Sequence, residues 1–554
     1  MHSTPILLTQ SGTITSTLDT TTRQDYLLFG TTQGLLHVVD QNGKEVFAFV
    51  PNEMMNNTNQ RNAFLSTTSS TGGNSNLFYG IDAPWAAYTQ YVANSDGSLT
   101  VGTSDRSTTA NPIQGKQWVY GGLRMGGRSY YSLDLTNISS PSLKFHISPD
   151  DSSITNSTGT SSVAALSYMG QSWSKPTIAR VKFAGQSKLV MIVGGGYDAG
   201  YESPNYDQTN QKGAGIYMFD ADNGQLLWWA SANPSSATDV QGAQAVTVNS
   251  NLKYSVVSQI NAIDRDGDGY VDNLYFGDLG GQVFRIDLNN TTSTATQKID
   301  ARVVLLTNQH ATGGASPRFY EMPSFSAQRD SSLGLFGVVA LSSGNRSSPL
   351  SGVTGTNNAT ATTSADDGVF VIYDKDVGNI NFYNSTYSLQ TQNVNLVSLN
   401  TNYSTGVAVT NGGWVYRYSN ATGSAGVWKG INGLYAVDSI LYTNVYYRDG
   451  VGLGGSCGAG VKGDSYLYRF CLPTGKCDRF TSSVNTDGTP DRVKLGAGIL
   501  GAGLGASNAT GNEVKSTITT STDCTQAANK NKIECQSFSN SGTIRTLRWY
   551  EANQ

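Results

Sequence analysis

The chain has 554 residues, of which only 14% are charged, and a formal net charge of −4. Its Lys and Arg are scattered along the chain, so nucleic-acid binding, which needs a basic face, is not expected, and no apolar run approaches the ~20 residues that cross a bilayer as a helix. Gly is abundant (62), Tyr (29) outnumbers Phe (18), and Ser, Thr and Asn crowd the gaps between short apolar runs, which excludes long charged helices and predicts an all-β fold.

The start, Met1-His-Ser-Thr-Pro-Ile-Leu-Leu8, has neither a basic n-region nor a long apolar h-region, so the chain reads as cytoplasmic or as a fragment whose leader lies elsewhere. From there one unit recurs: an apolar strand ending in Gly, a Gly-rich turn, and a second strand ending in Asp. The first copy is Leu27–Gly30 with Gly34–Asp40, continuing through Asn42-Gly43 into Lys44–Val50. The second is Trp118–Gly122 with Gly127–Asp134, and the third Leu189–Gly194 with Gly215–Asp220, followed by Asn223-Gly224 and Leu226–Trp229.

Next comes Asp264-Arg-Asp266-Gly-Asp268-Gly269-Tyr270-Val-Asp272. Carboxylates at alternate positions let a loop coiled around a point aim its oxygens inward, and the spacing matches positions 1, 3, 5 and 9 of an EF-hand loop for Ca²⁺. Gly269 takes the place where the turn needs no Cβ, and Tyr270 the place that gives a backbone carbonyl. An EF-hand closes with a bidentate Glu at position 12, where this chain has Tyr275, so the reading is a nine-residue loop closed by Asp272. The flanks look like strands rather than helices. An empty acidic turn is the bland alternative.

The fourth copy, Leu274–Gly277 with Gly281–Asp287, follows directly; the fifth is Phe336–Leu341 with Gly368–Asp374, and a weaker sixth runs from Ile440–Tyr446 to Asp464–Phe470. The copies start roughly 60–100 residues apart, with polar insertions expected near 55–75, 96–112, 350–366 and 504–532. Such repeats predict a modified β-propeller with long loop insertions in a single 1–554 domain, with a large sandwich or jelly roll as the alternative. All five Cys (457, 471, 477, 524, 535) lie in the last hundred residues, without CxxC spacing; a bridge from Cys471 to Cys477 across Leu-Pro-Thr-Gly-Lys is plausible, and the clustering favours an oxidising compartment. Asn485–Asp491 reads as a plain turn, with a second cation site as the alternative.

Several segments together resemble the C-terminal domain of the PilY/PilC family of type IV pilus tip-associated adhesins. They are Gly34–Asp40 with Phe49-Val-Pro51, Gly121-Gly-Leu123 with Gly126–Asp134, Trp173–Thr177, Gly194–Tyr197, the acidic loop with Gly277–Gly281, Gly344–Pro349 and Arg548–Glu551. The resemblance implies a propeller of about seven blades at the end of a larger secreted protein, whose N-terminal region would lie outside this sequence. It implies one Ca²⁺, held by Asp264, Asp266, Asp268, Tyr270 (carbonyl) and Asp272. The implied role is pilus biogenesis (extension against retraction), twitching motility and adhesion to host cells or abiotic surfaces, without membrane insertion. The implied partners are minor pilins at the tip, and the implied location is extracellular or on the outer-membrane surface. No Arg-Gly-Asp occurs, and Tyr447-Arg-Asp-Gly450 does not replace it, so no integrin partner is inferred.

An enzyme is not expected. The rival is a quinoprotein-type dehydrogenase on a propeller, faintly suggested by Asp220–Gly224 with Trp228, but that chemistry needs an axial calcium with an open position rather than a closed local loop. A carbohydrate- or protein-binding propeller with a structural calcium is the third reading. The four His (2, 37, 146, 310) show no HExxH spacing and no obvious carboxylate or nucleophile partner; His37, on an apolar strand, reads as a blade residue. Gly194–Gly196 lacks the helix and the GKS/T of a phosphate cradle.

Overall fold

The computed structural model describes residues 3–13, 22–58, 61, 78–234, 243–350, 367–384, 386–418, 426–453, 461–477 and 490–502, with the backbone of short strands at 504–506, 513–516 and 537–539. Among these residues the one α-helix is Asn52–Asn56. The chain falls into two compact units, Met1–Pro323 with Tyr383–Thr386, and Ser324–Phe382 with Tyr387–Gln554.

The first unit holds four sheets. Their strand orders are Glu45–Phe49, Leu36–Asp40, Gln24–Gly30, Ile6–Gly12, Leu99–Thr100, Val92–Ala93; then Gly159–Ser162, Ser153–Asn156, Ser142–Ser148, Tyr130–Asp134, Lys116–Gly122, Ala86–Gln90; then Thr177–Phe183, Gln186–Gly194, Ile216–Asp220, Leu226–Ser231, Ala245–Val248; then Asn261–Ile263, Asn273–Gly277, Gln282–Leu288, Ala301–Asn308. The second unit has a five-stranded sheet around Gly334–Ser342 and Gly368–Asp374, a four-stranded sheet around Ile440–Tyr447 and Asp464–Cys471, and a three-stranded one at 504–539. All six sequence repeats are adjacent antiparallel pairs, with Leu28 opposite Val38, Val119 opposite Leu133, Ile192 opposite Met218, Phe276 opposite Phe284, Ala340 opposite Val371 and Thr443 opposite Tyr468.

The Asp that ends the second strand has a local task in four copies: its carboxylate accepts the backbone N–H two residues on. Asp40 does so from Asn42 (2.9 Å), Asp134 from Thr136 (2.9 Å), Asp220 from Asp222 (2.9 Å) and Asp374 from Asp376 (3.1 Å). Such an Asx turn stops the strand and starts the reversal. The Gly that ends the first strand answers a different constraint. A Cβ at Gly30 would lie 2.3 Å from the Ile81 carbonyl oxygen, and one at Gly194 2.3 Å from that of Val256, because the chain entering the next sheet crosses there.

The core lies between successive sheets. Leu28, Val38 and Trp85 pack with Val119 and Leu133 of the first and second sheets; Tyr120 and Phe145 pack with Met191, Tyr217 and Trp229 of the second and third. Ile192, Met218 and Trp228 pack with Leu274, Phe276 and Phe284 of the third and fourth. In the second unit Val338 and Val371 pack with Leu441 and Tyr468 in the same manner.

Cys471 and Cys477 form a disulfide with Cα atoms 4.7 Å apart, while Cys457, Cys524 and Cys535 lie outside the described residues. So do most of the insertions near 55–75, 350–366 and 504–532, and Arg548–Glu551. Of Asn485–Asp491 only the last two residues are described, and Asp491 is paired with Arg469. Phe284, fully buried and stacked on Phe276 with ring centroids 5.3 Å apart, tests the inter-sheet core. Phe284→Ala is expected to destabilise the fold by about 3–5 kcal/mol in urea unfolding, whereas Leu27→Ala, at an exposed position, stays within about 0.5 kcal/mol.

Candidate metal centre

The acidic loop joins two neighbouring strands of the fourth sheet, Asn261–Ile263 and Asn273–Gly277, with Ile263 opposite Asn273. The Asp272 amide donates to the Ile263 carbonyl at 2.9 Å and closes the neck. Inside the loop the carboxylates first organise the backbone. Asp264 accepts from the amides of Gly267 (2.7 Å) and Gly269 (2.9 Å), Asp266 from Asp268 (3.3 Å), and Asp268 from Tyr270 (2.8 Å). Gly267 and Gly269 turn the chain at φ of 80° and 89°, a region L side chains rarely adopt.

This winding brings Asp264, Asp266 and Asp268 together, with one oxygen of each lying within 4.8 Å of the others. Among the described residues none of the three is in an ion pair with Lys, Arg or His. Carboxylates this close repel by roughly 1–4 kcal/mol per pair, from bulk water to a protein surface. Three hard anionic oxygen donors, two exposed and Asp264 half-buried, fit a hard divalent cation such as Ca²⁺ rather than a soft metal.

Asp272 lies outside that group of three and is differently placed. It is 4% exposed, its Oδ2 accepts from the Arg265 amide (2.8 Å) and its Oδ1 from Asn290 Nδ2 (3.3 Å), and burial pushes its pKa up to about 6. Its carbonyl accepts from the Leu288 amide at 2.7 Å, and the Tyr383 hydroxyl reaches the carbonyls of Leu288 (2.8 Å) and Asp272 (3.3 Å). The Tyr270 ring lies 4.4 Å from Lys182 Nζ.

The loop is also fastened to the third sheet. The Val271 amide donates to the Arg180 carbonyl (2.9 Å), and Asn290 bridges the two sheets by donating to the Val271 carbonyl (2.9 Å) while accepting from the Lys182 amide (2.9 Å). Behind it, in the fourth sheet, Asp287 is fully buried and accepts from Arg285 Nε (2.6 Å), Arg302 Nε (2.9 Å) and Asn273 Nδ2 (2.9 Å). Here the repeat's terminal Asp is spent on a charge network instead of an Asx turn.

His37, His146 and His310 have partners that their sequence spacing did not reveal. His37 Nδ1 lies 2.6 Å from Glu45, and His310 Nε2 lies 3.0 Å from the Tyr254 hydroxyl and 3.8 Å from Asp207. His146 Nε2 lies 3.3 Å from Glu53 and 3.2 Å from Ser129 Oγ, with its ring stacked 4.3 Å from Tyr131. Serine and carboxylate meet the same ring nitrogen, so this is not the relay in which one nitrogen takes the serine proton and the other is held by the acid.

The PilY1 beta-propeller domain family matches residues 7–402. The type IV pilus biogenesis factor PilY1 of Pseudomonas aeruginosa is 26% identical over 270 residues, which are 48% of this chain and 17% of that protein. The PilY1 homolog of Xylella fastidiosa is 25% identical over 271 residues, 48% of this chain and 14% of that protein. The chain thus matches less than a fifth of those relatives' length. The crystal structure of the Pseudomonas aeruginosa PilY1 C-terminal domain aligns over 89% of this chain and 91% of its own, with a TM-score of 0.52 at 17% identity, and shares the all-β propeller fold.

Two substitutions test the local chemistry. Nothing lies within 4 Å of a Cβ at Gly269, so Gly269→Ala changes only the backbone; the left-handed φ is expected to cost about 1 kcal/mol and to weaken terbium binding, read by luminescence. At Glu53 burial opposes ionisation, but hydrogen bonds from His146, Ser129 and Tyr131 outweigh it and lower the pKa from 4.5 to about 2. That stability is present above pH 4.5 and is lost as pH falls towards 2. Glu53→Gln is expected to remove up to about 3 kcal/mol at neutral pH and flatten the acid limb of a stability–pH curve.

Proposed function

The chain belongs to the PilY1 beta-propeller family, and from that premise we propose that it is the calcium-binding propeller of a type IV pilus biogenesis factor. In this reading it sits outside the cell at the pilus tip, or against the outer membrane. There it acts in extension against retraction, twitching motility and adhesion, and has no reaction of its own. Minor pilins are its partners within the pilus; a host cell or an abiotic surface is its partner beyond it. Among the described residues no helix is long and apolar enough to cross a membrane.

The observation that carries the reading is the convergence of Asp264, Asp266 and Asp268 in one loop of a chain from this family. These side chains would hold the ion, with the Tyr270 carbonyl and Asp272 completing the set. A bound Ca²⁺ supplies positive charge that answers the mutual repulsion of the carboxylates. Asp272 already ties the loop to Arg265 and Asn290, so a loop tightened around its carboxylates would hold Val271 more firmly on the Arg180 carbonyl. A pilin partner can sense this only through unequal affinity for the two loop states.

The test is calcium calorimetry on the wild type and on Asp268→Ala, with thermal melts in calcium and in chelator. The expected Kd lies within roughly 10⁻⁷ to 10⁻⁴ M, with loss of binding in the variant and a melting shift in calcium for the wild type only. In cells carrying the full-length protein, Asp268→Ala is expected to change surface piliation and twitching at an unchanged protein level. Absence of heat in the wild type would reduce the loop to an acidic turn; unchanged piliation would sink the switching role.

A further inference from the structure

Between the second and third sheets of the first unit lies a cleft of about 200 Å³. Tyr88, Lys116 and Trp118 form one wall and Arg180, Lys188 and Asp220 the other, with Asp222 and Asn223 at its rim. Sites for drug-sized ligands run to roughly 300–1,000 Å³, so this one suits a single small ring.

The charges in it do not cancel. Lys188 pairs with Asp220 at 2.8 Å, and Lys144 with Asp222 at 2.7 Å. Asp134, beside Trp118, accepts from the indole N–H at 3.0 Å and from the Thr136 amide at 2.9 Å. Lys116 and Arg180 are left without a carboxylate among the described residues: Lys116 Nζ rests 4.4 Å from the Trp118 ring centroid, and Arg180 Nη2 donates only to the Tyr88 hydroxyl at 3.2 Å. Lys144 Nζ lies 3.6 Å from the same Trp118 ring. The lining thus sets three cations, Lys116, Arg180 and Lys188, against the two carboxylates of Asp220 and Asp222, with the amides of Gln90 and Asn223 and the rings of Tyr88 and Trp118 beside them.

We infer that this cleft binds a carboxylated sugar. Arg180 offers a planar donor fork and Lys116 a point charge to one carboxylate. Asp222 and Asn223, both exposed, accept from ring hydroxyls, and the half-buried Tyr88 ring offers an apolar face with a polar edge. A phosphate or sulfate offers no ring face for Tyr88 and Trp118, and a simple acidic side chain would leave the hydroxyl acceptors unused. The inference rests on the cleft alone and is separate from the metal loop's role.

The experiment titrates the full chain with D-glucuronate, followed by tryptophan fluorescence and saturation-transfer NMR, against D-glucose, glutamate and sulfate. Glucuronate is expected to bind at least about tenfold more tightly than each of the other three. Arg180→Gln and Lys116→Gln should each weaken it about fivefold or more at an unchanged melting temperature, because removal of either cation loses a charge-assisted contact. Arg329→Gln, an exposed change in the other unit, should leave it unaltered. Equal binding of glucose, equal competition by sulfate or glutamate, or affinity that survives both cleft substitutions would overturn the assignment.

Discussion

Burial of the central strands on both faces is the constraint from which the rest of this structure follows. Every residue of Ile216–Asp220, Gln282–Leu288 and Gly368–Asp374 is buried, and Ile216–Asp220 has a neighbouring sheet packed on either side. Strands under that constraint become continuous apolar runs instead of alternating ones. Polar groups are driven to the strand ends, where Asp40, Asp134, Asp220 and Asp374 cap turns. Where charge stays inside, as at Asp287, it is held by two arginines and an asparagine, since an unpaired buried carboxylate would be far more costly.

The acidic loop inverts this rule. Three of its carboxylates, Asp264, Asp266 and Asp268, are gathered at its tip, and its backbone is wound by their own hydrogen bonds. The ends of the loop are nevertheless not loose. Asp272 is anchored in the fourth sheet and Val271 on the third, so a tightly wound tip stands on an anchored base. A rigid base with a charged, adjustable tip is the arrangement in which a small ligand can alter local geometry without disturbing the core.

Much of this was legible in the chain. The six Gly-to-Asp repeats gave the adjacent strand pairs because hairpin neighbours are written locally, in apolar runs and turn residues. The acidic loop was legible for the same reason, since its carboxylate spacing lies within nine residues. Long-range pairings were not. Glu53 meets His146 across 93 residues, and Lys144 meets Asp222 across 78, and no local spacing encodes either. The parallel strands Ala245–Val248 and Val397–Ser398 are short and half-exposed, with no turn signal to announce them. The third short sheet of the second unit carries no Gly-to-Asp repeat, which is why six units and not seven were countable.

The hydrogen bond from Val271 to the Arg180 carbonyl spans ninety-one positions of sequence. It gives the acidic loop a place in the order of folding. A loop that needed only its own hairpin could form as soon as residues 261–277 met, within microseconds. This one is complete only where the two sheets meet, because one of its hydrogen bonds reaches the strand Thr177–Phe183. The loop therefore serves as a seal on a completed pair of sheets, and its shape reports that assembly has finished.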